Sequence, residues 1–544
     1  MTYQENYEKW AHSAFLNQHE RKALADMAED ERKDAFYKNL EFGTAGMRGV
    51  MSLGTNRINI YTIRLAAKGL SKILKKGDSV AIAYDTRNHS KEYAYEVARV
   101  LAYDGIKSHI FDDYSPVPLL SFAVRELKCD AGVVITASHN TKEYNGFKVY
   151  DNTGCQMTEK LTKCIADNMD KIKSAFAIPV TSIKDKNIAL IGKEIGDAFI
   201  WNTIRAGIAL EKLTKEKLTV VYTPIHGSGF YYVQELLRYD GFNNISIVES
   251  QANFDGNFST VKKPNPEDKE ALALAAELAM KKKADIVIGT DPDCDRIGAA
   301  VMHRGEMVYI SGNQVGALLI DFIAKVKPSK GKKLITTIVT GEMGPIIAES
   351  YGIEVIRTLT GFKYIGSIMN EIDEKTFFMG YEESYGYLAG THARDKDGVS
   401  AALLICQIAA YYKEKGKTLI DALNGLYEKY GYWIDDQESF TFQGQVGEDK
   451  IKRIMSELRA KNGKAFCNAG NIIETLDYRR GINDLPEANV LKYVFTNKSW
   501  VAIRPSGTEP KIKFYYCING EDKQSAFDML KSIKTSVETV INVD

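Results

Sequence analysis

The sequence predicts a multidomain α/β protein, on three observations. Short apolar or β-branched runs alternate along the chain with longer helical stretches, the pattern of α/β layers rather than of a β-sandwich or a helical bundle. Six of these runs fall into three pairs, and the second run of each pair ends in a conspicuous polar loop. The 544 residues also exceed what one hydrophobic core can organise; at roughly 100 to 200 residues per domain, three to five domains are expected, with four as the working number.

In chain order, residues 3–40 combine Ala, Glu, Lys and aromatics without Pro or Gly, which suits helices packed on the outside of the first domain. A glycine-bearing loop follows, Phe42-Gly43-Thr44-Ala45-Gly46-Met47-Arg48-Gly49. Ile63, Ala66, Ala67, Leu70 and Leu74 then recur at helical spacing, with Gly77 in the position of a C-cap. The paired strand-like runs are 80–84 with 133–136, 218–222 with 286–290, and 334–339 with 377–379. The second members deliver Ser138-His139-Asn140, Asp291-Pro292-Asp293-Cys294-Asp295-Arg296 and Glu382-Glu383-Ser384-Tyr385. The first members end in turn-forming loops, Asp85-Thr86-Arg87, Thr223-Pro224-Ile225-His226-Gly227 and Thr340-Gly341-Glu342. This arrangement, rather than residue identity, reads as three repeated α/β units. Junctions are expected near 184–187, at Gly312-Asn313 and at 432–437, giving domains at 1–197, 198–312, 313–434 and 435–544. The last domain carries a helical stretch at 449–460, strand-like runs at 490–495 and 512–518, a loop at 504–510 between them and a closing helix, a small α+β domain.

Composition narrows the partners. Lys plus Arg (71) equals Asp plus Glu (71), so no global field recruits nucleic acid or an acidic membrane, and an anionic ligand must be caught by local groups. A small molecule is the expected partner. Seven cysteines, odd in number and without a Cys-x-x-Cys pair, fit a reduced compartment. The start lacks a basic region followed by an apolar one, and no run of 18 apolar residues occurs; neither signal peptide nor membrane span is expected, and the location expected is cytoplasmic.

The polar loops carry the chemistry. Asp291, Asp293 and Asp295 alternate after a buried-looking strand, and three carboxylates converge only around something positive, because like charges held close repel. A hard divalent cation suits them, and Mg²⁺ suits a site that also takes a phosphate oxygen; the bland alternative is a solvated acidic turn. An EF-hand would need Gly where Arg296 stands and Glu where Met302 stands, so that reading fails. A phosphatase using Asp291 as nucleophile and Asp293 as acid stays open on Asp-x-Asp alone, although the third carboxylate favours metal ligation. Arg504, Ser506, Gly507 and Thr508 combine a fixed cation, two hydroxyls and a Gly whose backbone can approach an anion, as phosphate capture needs; a plain turn built by Pro505 and Gly507 is the alternative. Glu382 and Ser384 offer groups that bind sugar hydroxyls, or a surface turn. No Gly-x-Ser-x-Gly elbow surrounds Ser138, and in an extended loop His139 would point to the opposite side. Its company raises it: metal loop, phosphate loop and the Arg48 loop together are what phosphoryl transfer requires.

With these residues in place, the chain resembles the α-D-phosphohexomutases over nearly its whole length. Segments 42–49, 136–140, 291–296, 382–386 and 504–510 look like the family's five markers, in order. Gly380-Tyr381-Glu382-Glu383-Ser384-Tyr385-Gly386 followed by Arg394-Asp395-Lys396-Asp397-Gly398 is most similar to the branch shared by bacterial α-phosphoglucomutases and phosphopentomutases. The resemblance implies four domains around a central cleft, three repeated α/β mixed-sheet units and a C-terminal α+β domain. It implies that Ser138 is phosphorylated in the resting enzyme, with one Mg²⁺ per chain held by that phosphate and by Asp291, Asp293 and Asp295. The phosphoryl group would pass to glucose 1-phosphate, giving glucose 1,6-bisphosphate as intermediate and activator, and the other phosphate would return to Ser138 as glucose 6-phosphate forms.

By position, His139, Lys148 and Arg48 would flank the reacting phosphate and Arg296 would contact ligand near the metal. Thr360 and Gly361 resemble a substrate-contact loop, and Lys396 matches a lysine assigned general acid/base work, which as a base would need a depressed pKa. Thr141 stands where a Pro often follows Ser-His-Asn, removing a rigid φ but no catalytic group. Tyr385-Gly386-Tyr387 replaces the Gly-His that phosphomannomutases often carry, which speaks against mannose preference. The expected activity is glucose 1-phosphate/glucose 6-phosphate interconversion by a monomer or weak homodimer. A phosphopentomutase is the nearest alternative, then a phosphomannomutase. A catalytically silent sugar-phosphate-binding protein is opposed by the intact Ser138, three aspartates and Arg504.

Overall fold

The computed structural model describes residues 2–43, 46–208, 213–442, 444–482, 484–506 and 510–542. They form two compact units, Met1–Gly312 with Phe362–Thr418, and Asn313–Gly361 with Leu419–Asp544. Among the described residues no helix is long and apolar enough to cross a membrane.

The first unit opens with the helices Tyr3–Ala11, Gln18–Ala25 and Glu29–Phe36. Thr2 with Glu5 and Asn17 with Glu20 close capping boxes, so the orphan N–H groups of the first two helices are satisfied locally. Trp10, Leu24 and Phe36 are buried with Tyr61 in a satellite core.

The first sheet has six strands in the spatial order Met47–Val50, Tyr144–Asp151, Ala131–Ile135, Ser79–Tyr84, Lys107–Phe111, Ile188–Ile191. The last four run parallel, and the first two are antiparallel additions. Ala131–Ile135 is buried along its length, as a strand covered on both faces must be. The helices Ile60–Ser71 and Ser90–Tyr103 pack on each other and on this sheet. Gly77 is not the C-cap of the first of these: the helix ends at Ser71 with Lys72 as cap. Gly77 instead takes φ +97° in the turn before the next strand, where its N–H donates to Gly105 O.

The second sheet repeats the plan with five strands, Glu306–Ile310, Ile297–His303, Ile286–Thr290, Val220–Thr223 and Ile245–Ile247. Val220–Thr223 is parallel to its neighbours, and Ile286–Thr290 meets Ile297–His303 antiparallel. In both sheets, therefore, the strand that carries the polar loop lies where parallel pairing gives way to antiparallel. Phe377–Glu382 pairs antiparallel with Gly386–Leu388, and the long helix Gly398–Glu414 follows.

In the second unit Lys333–Thr337 runs parallel to Glu354–Thr358. A five-stranded antiparallel sheet follows, in the order Tyr432–Thr441, Lys511–Gly520, Trp500–Pro505, Leu491–Phe495, Ile472–Asp477. The helices Gly444–Lys461 and Lys523–Ile541 cover it, burying Ile454, Leu458, Leu530 and Ile533 against Ile503, Phe514 and Tyr516. Arg504 and Pro505 belong to a strand rather than to a loop, opposite Lys513 and Ile512, so the turn begins at Ser506.

Candidate active site

Ala131–Ile135 ends at Thr136, and the chain then turns sharply. Ser138 takes φ +51°, a left-handed conformation that costs an L-residue roughly 1–2 kcal/mol and needs its surroundings to hold it. Its N–H donates to Thr136 Oγ1 at 2.8 Å, and its carbonyl accepts from Arg87 Nη2. The left-handed turn brings successive side chains together: Ser138 Oγ lies 3.2 Å from His139 Nδ1, contrary to the opposite-facing arrangement of an extended loop. Burial, then the cations Arg296 and Arg48, hold the His139 imidazole well below its ordinary pKa and so neutral.

Gly146 lets the neighbouring strand approach, since a Cβ there would lie 2.6 Å from Thr136 O and 2.7 Å from Met47 O. That approach brings two cations to the loop. Arg48, opposite Gly146, donates from Nη1 to Asn140 Oδ1 at 2.9 Å, and Lys148, opposite Val134, donates from Nζ to Asp293 Oδ2 at 3.0 Å.

Asp291, Asp293 and Asp295 are buried on the loop after Ile286–Thr290, each with a carboxylate oxygen within 4.8 Å of the others'. The N–H groups of Asp295 and Arg296 donate to Asp291 Oδ1 at 3.1 and 3.0 Å. Ser138 Oγ donates to Asp291 Oδ2 at 2.9 Å, which joins the serine loop to this one. Asp293 Oδ1 and both Asp295 side-chain oxygens are buried without a hydrogen-bond partner among the described residues. Among the described residues Asp295 is answered by ion pairs, with Lys396 Nζ at 2.8 Å, Lys148 Nζ at 3.7 Å and, more loosely, Arg296 Nε at 3.9 Å. Three carboxylates face two ammonium groups and a guanidinium that Glu267 also engages, and their orphaned oxygens converge, which fits a hard divalent cation. Burial, with Asp293 and Asp295 adding to it, pushes the Asp291 carboxyl well up; Lys148 overrides the burial penalty at Asp293 and keeps it ionised.

Lys396 precedes the helix Gly398–Glu414, whose N-cap is Asp397. Gly386 leaves it room, since a Cβ there would lie 2.4 Å from Lys396 Cδ and displace that side chain. Burial works to lower the Lys396 pKa, yet the carboxylates of Asp295, Asp395 and Glu382 more than reverse this and hold the ammonium protonated. The depressed value that a lysine base requires is therefore not what this environment produces. Tyr150 Oη donates to Asp395 Oδ2 at 2.8 Å behind it. Arg296 pairs with Glu267. Glu382 is buried at the end of its strand, and Ser384 is half-buried on the turn that follows.

One unit thus carries Arg48, Ser138, His139, Lys148, the three aspartates, Arg296, Glu382, Ser384 and Lys396. Thr360, Gly361, Arg504 and Ser506 belong to the other. There Thr360 Oγ1 is buried without a hydrogen-bond partner among the described residues, Gly361 takes φ +126°, and the half-buried Arg504 leads to Ser506, whose N–H donates to Lys511 O at 2.7 Å. Gly507 and Thr508 lie outside the described residues. Sequence reasoning gave no individual role to Asp85, Arg87, Thr136 or Glu267. The available signal for the first two was their place at the end of the strand beside the serine-bearing one.

Domain I of the phosphoglucomutase/phosphomannomutase family, an alpha/beta/alpha domain, matches residues 39–176; its alpha/beta/alpha domains II and III match 199–305 and 311–430, and its C-terminal domain matches 445–524. A phosphoglucomutase from Staphylococcus haemolyticus is 37% identical over 508 residues, covering 90% of this chain and 92% of its own. Among solved structures, the fold is similar to that of a phosphoglucomutase/phosphomannomutase family protein from Burkholderia thailandensis, with TM-score 0.70 and 17% identity over 92% of this chain and 97% of that one. It is equally similar to pp63/parafusin from Paramecium in its open form, with TM-score 0.70 and 17% identity over 93% of this chain and 95% of that one. On its matched domains and its likeness to the staphylococcal enzyme, this chain belongs to the phosphoglucomutase/phosphomannomutase family.

Proposed function

We propose that the protein is an isomerase that interconverts α-D-glucose 1-phosphate and glucose 6-phosphate by passing a phosphoryl group through Ser138. The observation that carries this reading is the Ser138 hydroxyl, 2.9 Å from Asp291 in a group of carboxylates with three oxygens that lack hydrogen-bond partners among the described residues, with Arg48, His139 and Lys148 around it. Phosphoryl transfer asks little covalent work of a protein beyond one carrier oxygen, and much positioning and positive charge.

In this reading Asp291, Asp293, Asp295 and the phosphate on Ser138 would hold one Mg²⁺, which would draw charge from the moving phosphoryl group. Arg48 and Lys148 supply fixed positive charge to the phosphoryl oxygens, and His139, kept neutral, can donate one hydrogen bond there. Lys396 Nζ, protonated beside Asp295, is suited to give a proton to a departing sugar oxygen; it can take one from an attacking sugar hydroxyl only once deprotonated, a state its carboxylate neighbours oppose. Glu382 and Ser384 bind sugar hydroxyls, while Arg296, Thr360 and Gly361 contact the ligand. Arg504, Ser506, Gly507 and Thr508 take the phosphate that is not reacting. Glucose 1,6-bisphosphate is the intermediate and restores the phosphoenzyme when the phosphate is lost. The domains run 1–197, 198–312, 313–434 and 435–544, and the enzyme works in the cytoplasm as a monomer or weak homodimer.

Intact mass spectrometry tests this. One phosphoryl group should appear on the protein after incubation with glucose 1,6-bisphosphate and Mg²⁺ and be absent from Ser138→Ala, which should lose turnover. Its discharge to glucose 1-phosphate but not to ribose 1-phosphate or mannose 1-phosphate would fix the substrate. A wild-type chain that never takes up the group refutes the reading.

A further inference from the structure

We propose that Arg87, anchored by Asp85 and working with Thr136, is a positioning residue that holds Ser138 in its reactive conformation. The inference rests on Ser138 being the phosphate carrier.

The side chain of Arg87 has no exposed surface, and its Nη donors go to a single stretch of backbone, while Nε is buried without a hydrogen-bond partner among the described residues. Nη1 donates to Thr141 O at 2.8 Å and Tyr144 O at 3.0 Å, and Nη2 donates to Ser138 O and Asn140 O. Carbonyls that would otherwise repel one another are thereby gathered around one planar fork, a task suited to the geometry of guanidinium and not of ammonium. The Phe258 ring lies 5.0 Å from its centre. Asp85 is the counter-charge, with Oδ2 3.3 Å from Arg87 Nε. Asp85 is fully buried too, and it accepts from Arg87 N at 3.0 Å, Ser90 Oγ at 2.7 Å and Thr136 Oγ1 at 2.6 Å.

Thr136 closes the circuit. Its Oγ1 accepts the Ser138 N–H at 2.8 Å and lies 3.1 Å from Asp293 Oδ2. Both polar groups of the Ser138 backbone are therefore fixed by side chains, the N–H by Thr136 and the carbonyl by Arg87, in the strained φ +51° conformation. That conformation sets Oγ on Asp291. A buried ion pair is a costly way to support a loop that apolar packing could cover, whereas a strained residue persists only where its surroundings over-determine it. The relay does this at one place, the residue whose oxygen must be placed to within a fraction of an ångström.

The test compares kcat and KM for glucose 1-phosphate, together with phosphate per chain by intact mass, in Arg87→Met, Arg87→Lys, Thr136→Val and Thr136→Ser. A misplaced nucleophile costs on the order of 100-fold. Arg87→Met should lose about that much in kcat per phosphorylatable Ser138, with KM within about 3-fold of wild type; Arg87→Lys should recover about 10-fold of the loss. Thr136→Val, which keeps the side-chain shape and removes the hydroxyl, should lose about 10- to 100-fold, and Thr136→Ser should restore it. A merely structural role would lower the fraction of phosphorylatable chains and leave kcat per phosphorylated serine unchanged. Wild-type kcat per phosphorylated serine in either folded Arg87→Met or Thr136→Val overturns the proposal, and Thr136→Val decides alone should Arg87→Met fail to fold. Ser138→Ala separates the two claims: if it still turns over, the carrier reading falls and this inference with it, but if it is inactive while Arg87→Met is not impaired, only the positioning role falls.

Discussion

The two units each bury a cluster of charges, and the clusters differ in how completely they close. In the second unit Glu342 Oε1 accepts from Trp500 Nε1 at 3.1 Å, and its other oxygen pairs with Arg357. Lys492 Nζ lies 3.6 Å from Glu342, donates to Ile338 O at 2.9 Å and sits 4.0 Å from the centre of the Trp500 ring. Both Glu342 oxygens and the Lys492 ammonium are partnered there. Around Asp291, Asp293 and Asp295 the cations Lys148, Lys396 and Arg296 leave three carboxylate oxygens without hydrogen bonds among the described residues. Buried polar groups are nearly always satisfied, so the closed cluster reads as architecture and the open one as a place built for a ligand.

The largest effect that sharpens this contrast is metal removal. Chelation should lower activity by about 1,000-fold or more, with Mg²⁺ restoring it, because several kcal/mol of charge stabilisation would go. Mg²⁺ at 100 times its Kd should stabilise the chelated protein by about 2.7 kcal/mol, read as a rise in Tm. Asp295→Asn should abolish most of that rise. Full activity and an unchanged Tm after chelation would break the comparison at its open end.

At the closed end, Lys492→Met should destabilise by about 3–5 kcal/mol in urea unfolding, since it leaves Glu342 buried with only the partly exposed Arg357 opposite. Activity per folded molecule should stay near wild type. Pairing it with Glu342→Gln should recover much of the loss, as removal of both charges costs less than leaving one unpaired. A single variant that retains stability but loses turnover would make this cluster part of the site.

The sequence conveys these regions unequally. Ser138 and the aspartates stand out because a buried apolar run breaks abruptly into polar residues, a local signal. Arg87 lies 51 residues from the carbonyl it holds, and Glu342 lies 158 residues from Trp500; such partners meet only through tertiary structure, so the loops Asp85-Thr86-Arg87 and Thr340-Gly341-Glu342 read as turns. His139 was expected on the far side of the loop because nothing local marks a serine for φ +51°. The strand Met47–Val50, with Arg48 exposed and Gly49 inside it, carries no alternation long enough to register, although it positions Arg48. Gly77 reads as a helix cap because it follows the apolar periodicity, whereas its role is set by Gly105 across a turn.

The smallest and most selective difference between the clusters is in their pH dependence. Burial alone would raise the Glu342 pKa, but Lys492 and Arg357 outweigh it and hold the carboxyl below its ordinary 4.5. A carboxyl lowered on folding adds stability above its unfolded value, and that stability is lost as pH falls through the folded value. The margin of wild type over Glu342→Gln should therefore be complete at neutral pH and shrink once the pH drops below 4.5, by about 1.4 kcal/mol for each unit by which folding lowers the group. Asp291 in chelated protein carries the opposite sign: raised by burial, Asp293 and Asp295, it favours the fold at low pH and opposes it as pH climbs through its folded value. Urea midpoints of Glu342→Gln and of chelated Asp291→Asn, each followed against wild type from pH 7 to pH 3, should diverge in opposite directions. Parallel curves would mean that the two clusters are closed alike.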